Sequence, residues 1–436
     1  MAPNPNIMQA VEQLGYRVTV GDVTTQAGLN INLAQQGLLT LATDAGGHLQ
    51  VAESGEVVYL FPKNFRAILR NKFLRLRLQE WWKKVWRVLF YLIRISFGIL
   101  LLASIALIFL TILLIITTTN RDGDSGGGSH SSGGDSHSSG GGSIFVPYFW
   151  IGPDWFWVFY PNYDSHYQQR RREQSQLNFF AAIFSFLFGD GNPNAGLEER
   201  RWQQIATVIR NNGGAVVAEQ IAPYLDDIGE GYAREYEDYM LPVLTRFNGQ
   251  PVVSPDGQIV YHFPDLQITA SQRHPHEVPK YLQELKERFS AASSGQILLS
   301  AGLGVLNFVG ALVLGSLLAD GIAAELGGLV AFVQGIYWLF LGYGTAFLGV
   351  PLVRYFWIQW RNSKISDRNQ QRLARARQLE SADNDLQQKI AYARQFAAET
   401  VIGQSDLVYT TETDLLEQEA HSAQIDAEWQ RRLSGS

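Results

Sequence analysis

The chain of 436 residues contains no cysteine. That absence excludes disulfide frameworks, cysteine-ligated clusters, zinc ribbons and thiol catalysis. Lysine and arginine are missing from residues 18–62, which carry Asp22, Asp44, Glu53 and Glu56 instead. A nucleic-acid surface needs basic side chains to neutralise phosphates, so this stretch is poorly made for one. Charge of either sign is missing from residues 95–116, ISFGILLLASIALIFLTILLII. A helix of that length rises about 33 Å, enough to cross a hydrocarbon core. Residues 296–318 and 329–353 qualify in the same way, and the first run lies too deep in the chain for a cleaved signal peptide. An integral membrane protein of two or more domains is expected.

What the chain does contain is a duplication. Shifted by 202 residues, LTLATDAGGHLQVAESGEVVYLFP (39–62) lies on LPVLTRFNGQPVVSPDGQIVYHFP (241–264) without a gap. Upstream, GYRVTVGDV (15–23) lies on GGAVVAEQI (213–221) at an offset of 198. Both copies read as a short amphipathic helix, a short strand and a helix starting at Gly21-Asp22 or Glu219-Gln220. A longer helix follows, LAQQGLLTLAT or REYEDYMLPVLT, then a hairpin turning at ESGE or PDGQ. That order predicts two winged-helix-like modules, 1–66 and 197–268. Their wings do not suit DNA: residues 211–265 hold two arginines against nine acids. Protein docking is the better expectation, with Tyr59, Tyr261, Glu235 and Asp238 as candidate contacts.

Between the modules, residues 63–94 carry ten Lys/Arg and one Glu. A basic amphipathic helix is expected over 67–94, with Arg70, Lys72, Arg75, Arg77, Lys83 and Lys84 on lipid head groups and Trp81, Trp82 and Trp86 at the interface. Nucleic acid is the sharper alternative for this segment. A transmembrane helix follows at 95–118, then a Gly/Ser/His linker at 119–143. His130, Asp135 and His137 fall in that linker and are read as plain linker rather than a metal site. Residues 144–194 read as an aromatic interfacial or re-entrant segment, with GDGNP (189–193) as a turn. A surface helix is expected at 277–294, transmembrane helices at 296–318 and 329–353, and a helical C-terminal region at 362–436. Asn307 and Gln334 are read as hydrogen-bonding across the spans. Three spans place the two basic flanks, 63–94 and 354–377, on opposite sides, whereas the positive-inside rule wants them together; a fourth crossing through 144–188, or a first apolar stretch that does not fully cross, would reconcile them. The N-terminal module is expected in the cytoplasm.

GYRVTVGDVTTQAGL, DAGGHLQVAESGEVVYLFP, FSFLFGDGNPN and REYEDYMLPVLTRFNG with IVYHFP together resemble a family of uncharacterised membrane proteins of cyanobacteria and chloroplasts. The resemblance covers most of the chain and implies a plasma or thylakoid membrane in a photosynthetic host. Plant members carry an iron–sulfur cluster biosynthesis label, for which this chain has no cysteine. It brings no catalytic residues to carry over.

The expected fold class is an α+β membrane protein: two winged-helix-like modules, a helical transmembrane region and a long C-terminal helical segment. The expected function is a membrane scaffold or assembly factor, with no enzymatic activity and no cofactor or metal. Its partners would be lipids and an unidentified membrane-protein complex or client, with nucleic acid disfavoured. Gly-rich spans would suit a homo-oligomer. The alternative is a membrane-tethered nucleic-acid-binding regulator using 63–94. A transporter lacks paired intramembrane charges. His48, His262, His274 and His276 are scattered and read as turn or surface histidines.

Overall fold

A computed structural model describes residues 3–72, 74–122, 179–272, 276–319, 321 and 325–412. The linker and the aromatic segment up to residue 178 lie outside them. The chain divides into two compact units. One comprises Met1–Lys84, Asn192–Lys286 and Asn362–Ser436; the other comprises Val85–Gly191 and Glu287–Arg361.

In the first unit, α1 (Pro5–Gln13) starts on the Asn4 side chain, and α2 (Val20–Ala27) starts on a reciprocal Thr19–Asp22 cap. Thr19 Oγ1 accepts from the Asp22 N–H, and Asp22 Oδ2 accepts from the Thr19 N–H. The cap moves the helix start to Val20, one residue ahead of the expected Gly21-Asp22. α3 (Ile31–Ala45) buries Ile31, Ala34, Leu38, Leu41, Ala42 and Ala45, the three-and-four spacing that makes one face apolar. β1 (Arg17–Val18), β2 (His48–Ala52) and β3 (Val57–Leu60) form a sheet in which β3 lies between the other two. α4 (Phe65–Lys72) closes the core with Phe65 and Leu69.

The second copy repeats this frame: α7 (Leu197–Asn211), β4 (Ala215–Val216), α8 (Ala218–Ile221), α9 (Tyr232–Glu235), α10 (Leu241–Phe247), β5 (Gln250–Val253) and β6 (Ile259–His262). The ladders carry the sequence offsets. Arg17 pairs with Leu60 and Ala215 with His262, shifts of 198 and 202; His48 pairs with Leu60 and Gln250 with His262, shifts of 202 and 202. Gly55 and Gly257 both turn at positive φ, 87° and 83°. Gly47 and Gly249 lie so close to the Phe61 and Phe263 rings that a Cβ would come within 3 Å of them.

Four expectations are corrected. REYEDYMLPVLT is not one helix: it breaks at Glu237, whose φ is +54°, and α10 restarts with Pro242 in its first turn. Residues 277–293 are irregular coil rather than helical. Pro279 lacks a donor, and the chain alternates, with Leu282 and Glu284 buried. Its backbone bonds run sideways, the Leu282 N–H to Pro223 O (3.2 Å) and the Glu284 N–H to Asn369 Oδ1 (3.0 Å). The lead-in helix and the first apolar run are one helix, α5 (Leu74–Asp122). The C-terminal region is only partly helical. α12 (Gly328–Glu380) runs on far past 353 and ends before Asp383, whose side chain caps α13 (Asn384–Ala393).

Residues 384–411 then form a strap across the first unit. α13 packs Ala393 against Val217 and Val260. β8 (Thr400–Val401) pairs in parallel with β7 (Ile268–Thr269). β9 (Leu407–Thr410) adds an antiparallel fourth strand to β2.

In the second unit, α5, α11 (Ser294–Leu318) and α12 are long and apolar enough to cross a membrane. α6 (Phe179–Phe188) is a shorter apolar helix. Glycines set the close approaches: Gly304 against Phe347, Gly315 against Tyr337 and Gly344 against Phe308. Asn307 is buried and donates to Ser104 Oγ at 2.6 Å, whereas Gln334 is exposed and makes no such tie. The GDGNP turn does more than end α6. Asp190 takes Arg94 (2.8 Å), the Ala291 N–H (2.7 Å) and the Ser185 hydroxyl. Arg361 pairs with Glu287, and Arg354 Nη1 reaches the Phe186 carbonyl at 2.9 Å. These contacts bring the start of the apolar run of α5, the end of α6, the approach to α11 and residues 354–361 of α12 to one end of this unit.

Candidate interaction surface

The sequence-chosen residues separate by exposure. Tyr59 and Tyr261 are 4% and 3% exposed and belong to the two module cores, so neither offers its ring to a partner. Both stand on the core faces of their strands, while the adjacent Val58 and Val260 are buried on the opposite faces, against the C-terminal strap. Glu235 and Asp238 are exposed, as are Arg70, Lys72, Lys83 and Lys84. Lys72 pairs with Asp44 at 2.7 Å. Arg75 and Arg77 lie in α5, with side chains outside the described ones. Trp81, Trp82 and Trp86 are exposed alongside. His48 Nδ1 meets the Thr411 carbonyl, and His262 lies against Phe396. His274 lies outside the described residues, as do His130, Asp135 and His137. Among the described residues no three His, Asp or Glu side chains gather as a metal would need.

The segment 226–240 has no equivalent conformation in the first module. Gly229 and Gly231 turn it outward at φ +72° and +56°. α9 then places Tyr232 and Tyr236 one turn apart. Their rings stack 6.3 Å apart and are 78% and 64% exposed. Exposed Asp227, Glu230, Glu235 and Asp238 surround them, with Arg234 as the local cation. Two large aromatic rings left in solvent beside four carboxylates form an acidic, aromatic surface suited to a basic partner, by cation–π contact and charge together.

Its base is fixed by two ionic clusters, one centred on buried Lys389 and one on buried Arg372. At one side, Lys389 of α13 reaches Glu219 (2.9 Å) and Glu237 (2.6 Å), and Tyr261 donates to Glu237 Oε2 at 2.7 Å. Burial disfavours the Lys389 cation, but Glu219 and Glu237 outweigh it and raise its pKa. Burial, reinforced by the Glu237 carboxylate, raises the Tyr261 hydroxyl far above its usual range. Two bonds to its carboxylate, one from Tyr261 and one from Lys389, hold Glu237 in its left-handed backbone. At the other side, fully buried Arg372 joins Asp226 and Glu284; Arg201 also reaches Asp226, and Arg368 reaches Glu284 at 2.6 Å. Burial raises the Asp226 and Glu284 carboxyls, yet the arginines prevail and leave both lowered.

A second polar feature joins the two copies. Asp22 is fully buried, accepting from the Ala270 N–H (3.0 Å), Thr269 Oγ1 (3.1 Å) and Arg210 Nη2 (2.7 Å). Beside it a cleft of about 340 Å³ is lined by Gln26, Arg210, Asn211, His276 and Glu399. Asp22 is saturated by its cap and its arginine, so it serves as a structural pin. Sequence reading missed Tyr232, Tyr236, Asp22, Arg372 and Lys389. Only the first two left a signal, a Tyr pair at helical spacing in an acidic stretch.

The comparison with known proteins bears on lineage. Over 442 aligned positions the chain is 39% identical to an uncharacterised chloroplastic protein of Arabidopsis thaliana. The alignment covers 98% of this chain and 81% of the plant protein. The chain belongs to that protein's family. No family model matches the chain, and no solved structure matches it. The plant name assigns a compartment to the plant protein and no reaction.

Proposed function

We propose that this protein is a membrane-anchored scaffold or assembly factor that docks a protein client through the acidic, aromatic surface of its second module. The exposed, stacked Tyr232–Tyr236 pair among Glu235 and Asp238 carries the reading. Helix–strand–helix–helix–hairpin order in both copies supports describing them as winged-helix-like, used for protein contact rather than DNA. The three long apolar helices support a membrane position, and the chloroplastic relative supports a thylakoid or other photosynthetic membrane. Exposed Lys83 and Lys84 beside Trp81, Trp82 and Trp86 suit the head-group layer, with the N-terminal module on the cytoplasmic side. Apolar helices whose ends gather at one end of their unit support an even number of crossings. The iron–sulfur label gains no support from a chain without cysteine.

The test is co-purification of the tagged full-length chain from its own membranes. Tyr232→Ala with Tyr236→Ala, both at exposed positions, should remove the client while leaving the melting transition in place. Retention of the same client by the double variant would refute the docking surface. The basic run favours a second reading, nucleic-acid binding by 63–94. Salt-sensitive RNA or DNA binding that disappears on neutralising Arg70, Lys72, Lys83 and Lys84 would support it instead.

A further inference from the structure

An open apolar groove of about 620 Å³ runs between α6 and α12 in the second unit, with Phe188 on one wall and Ala346, Gly349 and Val353 on the other; Arg354 and Trp357 stand at one end. Its floor is low at Gly349, where a Cβ would meet nothing within 4 Å. From Ala346 to Trp357 the groove follows one helix for about 16 Å. That is the depth of about one leaflet of a bilayer whose core is about 30 Å thick.

The closed end is cationic and fixed. Arg354 caps the last carbonyls of α6, and its guanidinium lies 4.4 Å from the centre of the Phe289 ring. Its Nη2 is buried and has no hydrogen-bond partner in the protein, a donor that calls for an acceptor. Arg361 lies 5.1 Å from the Trp357 ring centre, extending the cationic end outward. Arg94, Arg354 and Arg361 belong to this end against Asp190 and Glu287. Both acids are engaged, Asp190 by Arg94 and Glu287 by Arg361. Positive charge is therefore left over where the apolar groove stops, beside a tryptophan of the kind that marks the head-group layer.

We propose that this groove is a specific site for an anionic phospholipid. One acyl chain lies along Ala346–Val353, and the phosphate sits at Arg354 and Arg361. The groove lies outside the basic run at 63–94, of which Arg94 alone reaches this end through Asp190, and the site rests on the reading that α5, α11 and α12 span a bilayer.

The full-length chain, purified in detergent and mixed with equal amounts of phosphatidylglycerol and phosphatidylcholine, is examined by native mass spectrometry. The wild type should retain one phosphatidylglycerol, at least tenfold in preference to phosphatidylcholine. Gly349→Leu, whose Cβ meets no neighbour within 4 Å, puts a side chain into the groove and should abolish that retention; Arg361→Gln should reduce the preference severalfold. Equal retention of both lipids, or unchanged retention in Gly349→Leu, would overturn the proposal. So would efficient disulfide dimers of Gly349→Cys in membranes, since a second copy would then occupy the groove. Alkaline washing of the same membranes separates the two levels. A chain that resists washing but shows no lipid preference spans the bilayer without this site. Release on washing would remove the spanning reading and this site with it.

Discussion

The two modules share a frame and differ in what covers it. In the first, β9 lies along the outer edge of β2: the Leu49 N–H donates to Thr411 Oγ1, the Thr411 N–H to Leu49 O, and the Glu53 N–H to Asp406 O. In the second, the equivalent edge of β5 carries no added strand among the described residues, and position 251, matching Leu49, is proline. Proline has no N–H to offer there, which blunts the edge against pairing with another chain. The strap covers the second module elsewhere, with α13 and Lys389 against the far side of its sheet. Duplication thus kept the strand registers while one C-terminal segment came to serve the copies by two different means, a strand for one and a helix with a buried ion pair for the other.

The largest expected effect treats the copies alike. Phe61→Ala and Phe263→Ala remove fully buried rings and should each cost about 3–5 kcal/mol, read as loss of amide protection within the module concerned. Protection lost in both modules from either change would mean that the copies fold as one piece. Lys389→Met comes next. It leaves Glu219 and Glu237 facing each other near buried Tyr261, and should cost roughly 3 kcal/mol. Protection should fall in α13 and β4 and persist in α1 to α3. The same pair has a pH signature. A raised folded pKa means the Lys389 contribution is intact below its ordinary value of 10.5 and is lost as the pH climbs through the higher folded value. The melting temperature should therefore drop in strong alkali, and less so in Lys389→Met.

Removing β9 by ending the chain after Ser405 should cost about 1–3 kcal/mol, a few hydrogen bonds at roughly 1 kcal/mol each. Exchange should quicken at the Leu49 and Glu53 amides and not along β5. Pro251→Thr is the smallest change to stability, within about 0.5 kcal/mol for a surface site. Its readout is association: restoring the missing donor should promote self-pairing of the purified chain through β5. A variant that stays as monodisperse as the parent would show that Pro251 is not what protects that edge.

Much of the frame was legible in the sequence because it rests on local chemistry that both copies preserve. The glycine turns at 55 and 257, the prolines after the strands and the unbroken apolar runs each state their own conformation. What could not be read depends on partners distant in the chain. Residues 277–293 have helical composition, but Asn194, Asn369 and Arg372 take up their backbone groups and leave them non-helical. LVYT at 407–410 looks like the tail of a helical region until β2 offers it an edge. Tyr59 and Tyr261 looked like contact residues because they recur; they recur because both cores need them. The interaction surface was half legible. Glu235 and Asp238 stood out by charge, whereas the exposure of Tyr232 and Tyr236 follows from a break at Glu237 that Lys389 sets from 152 residues away.

The central claim is that the second module's acidic, aromatic face meets a protein client. Its most direct test places a photo-crosslinker at Tyr232 in the full-length chain, in intact membranes, with buried Tyr59 as the control position. The account predicts one discrete protein adduct at Tyr232, absent from Tyr59 and lost when Glu235→Lys and Asp238→Lys are combined. Adducts dominated by nucleic acid or lipid, or an adduct unmoved by the charge reversal, would contradict it.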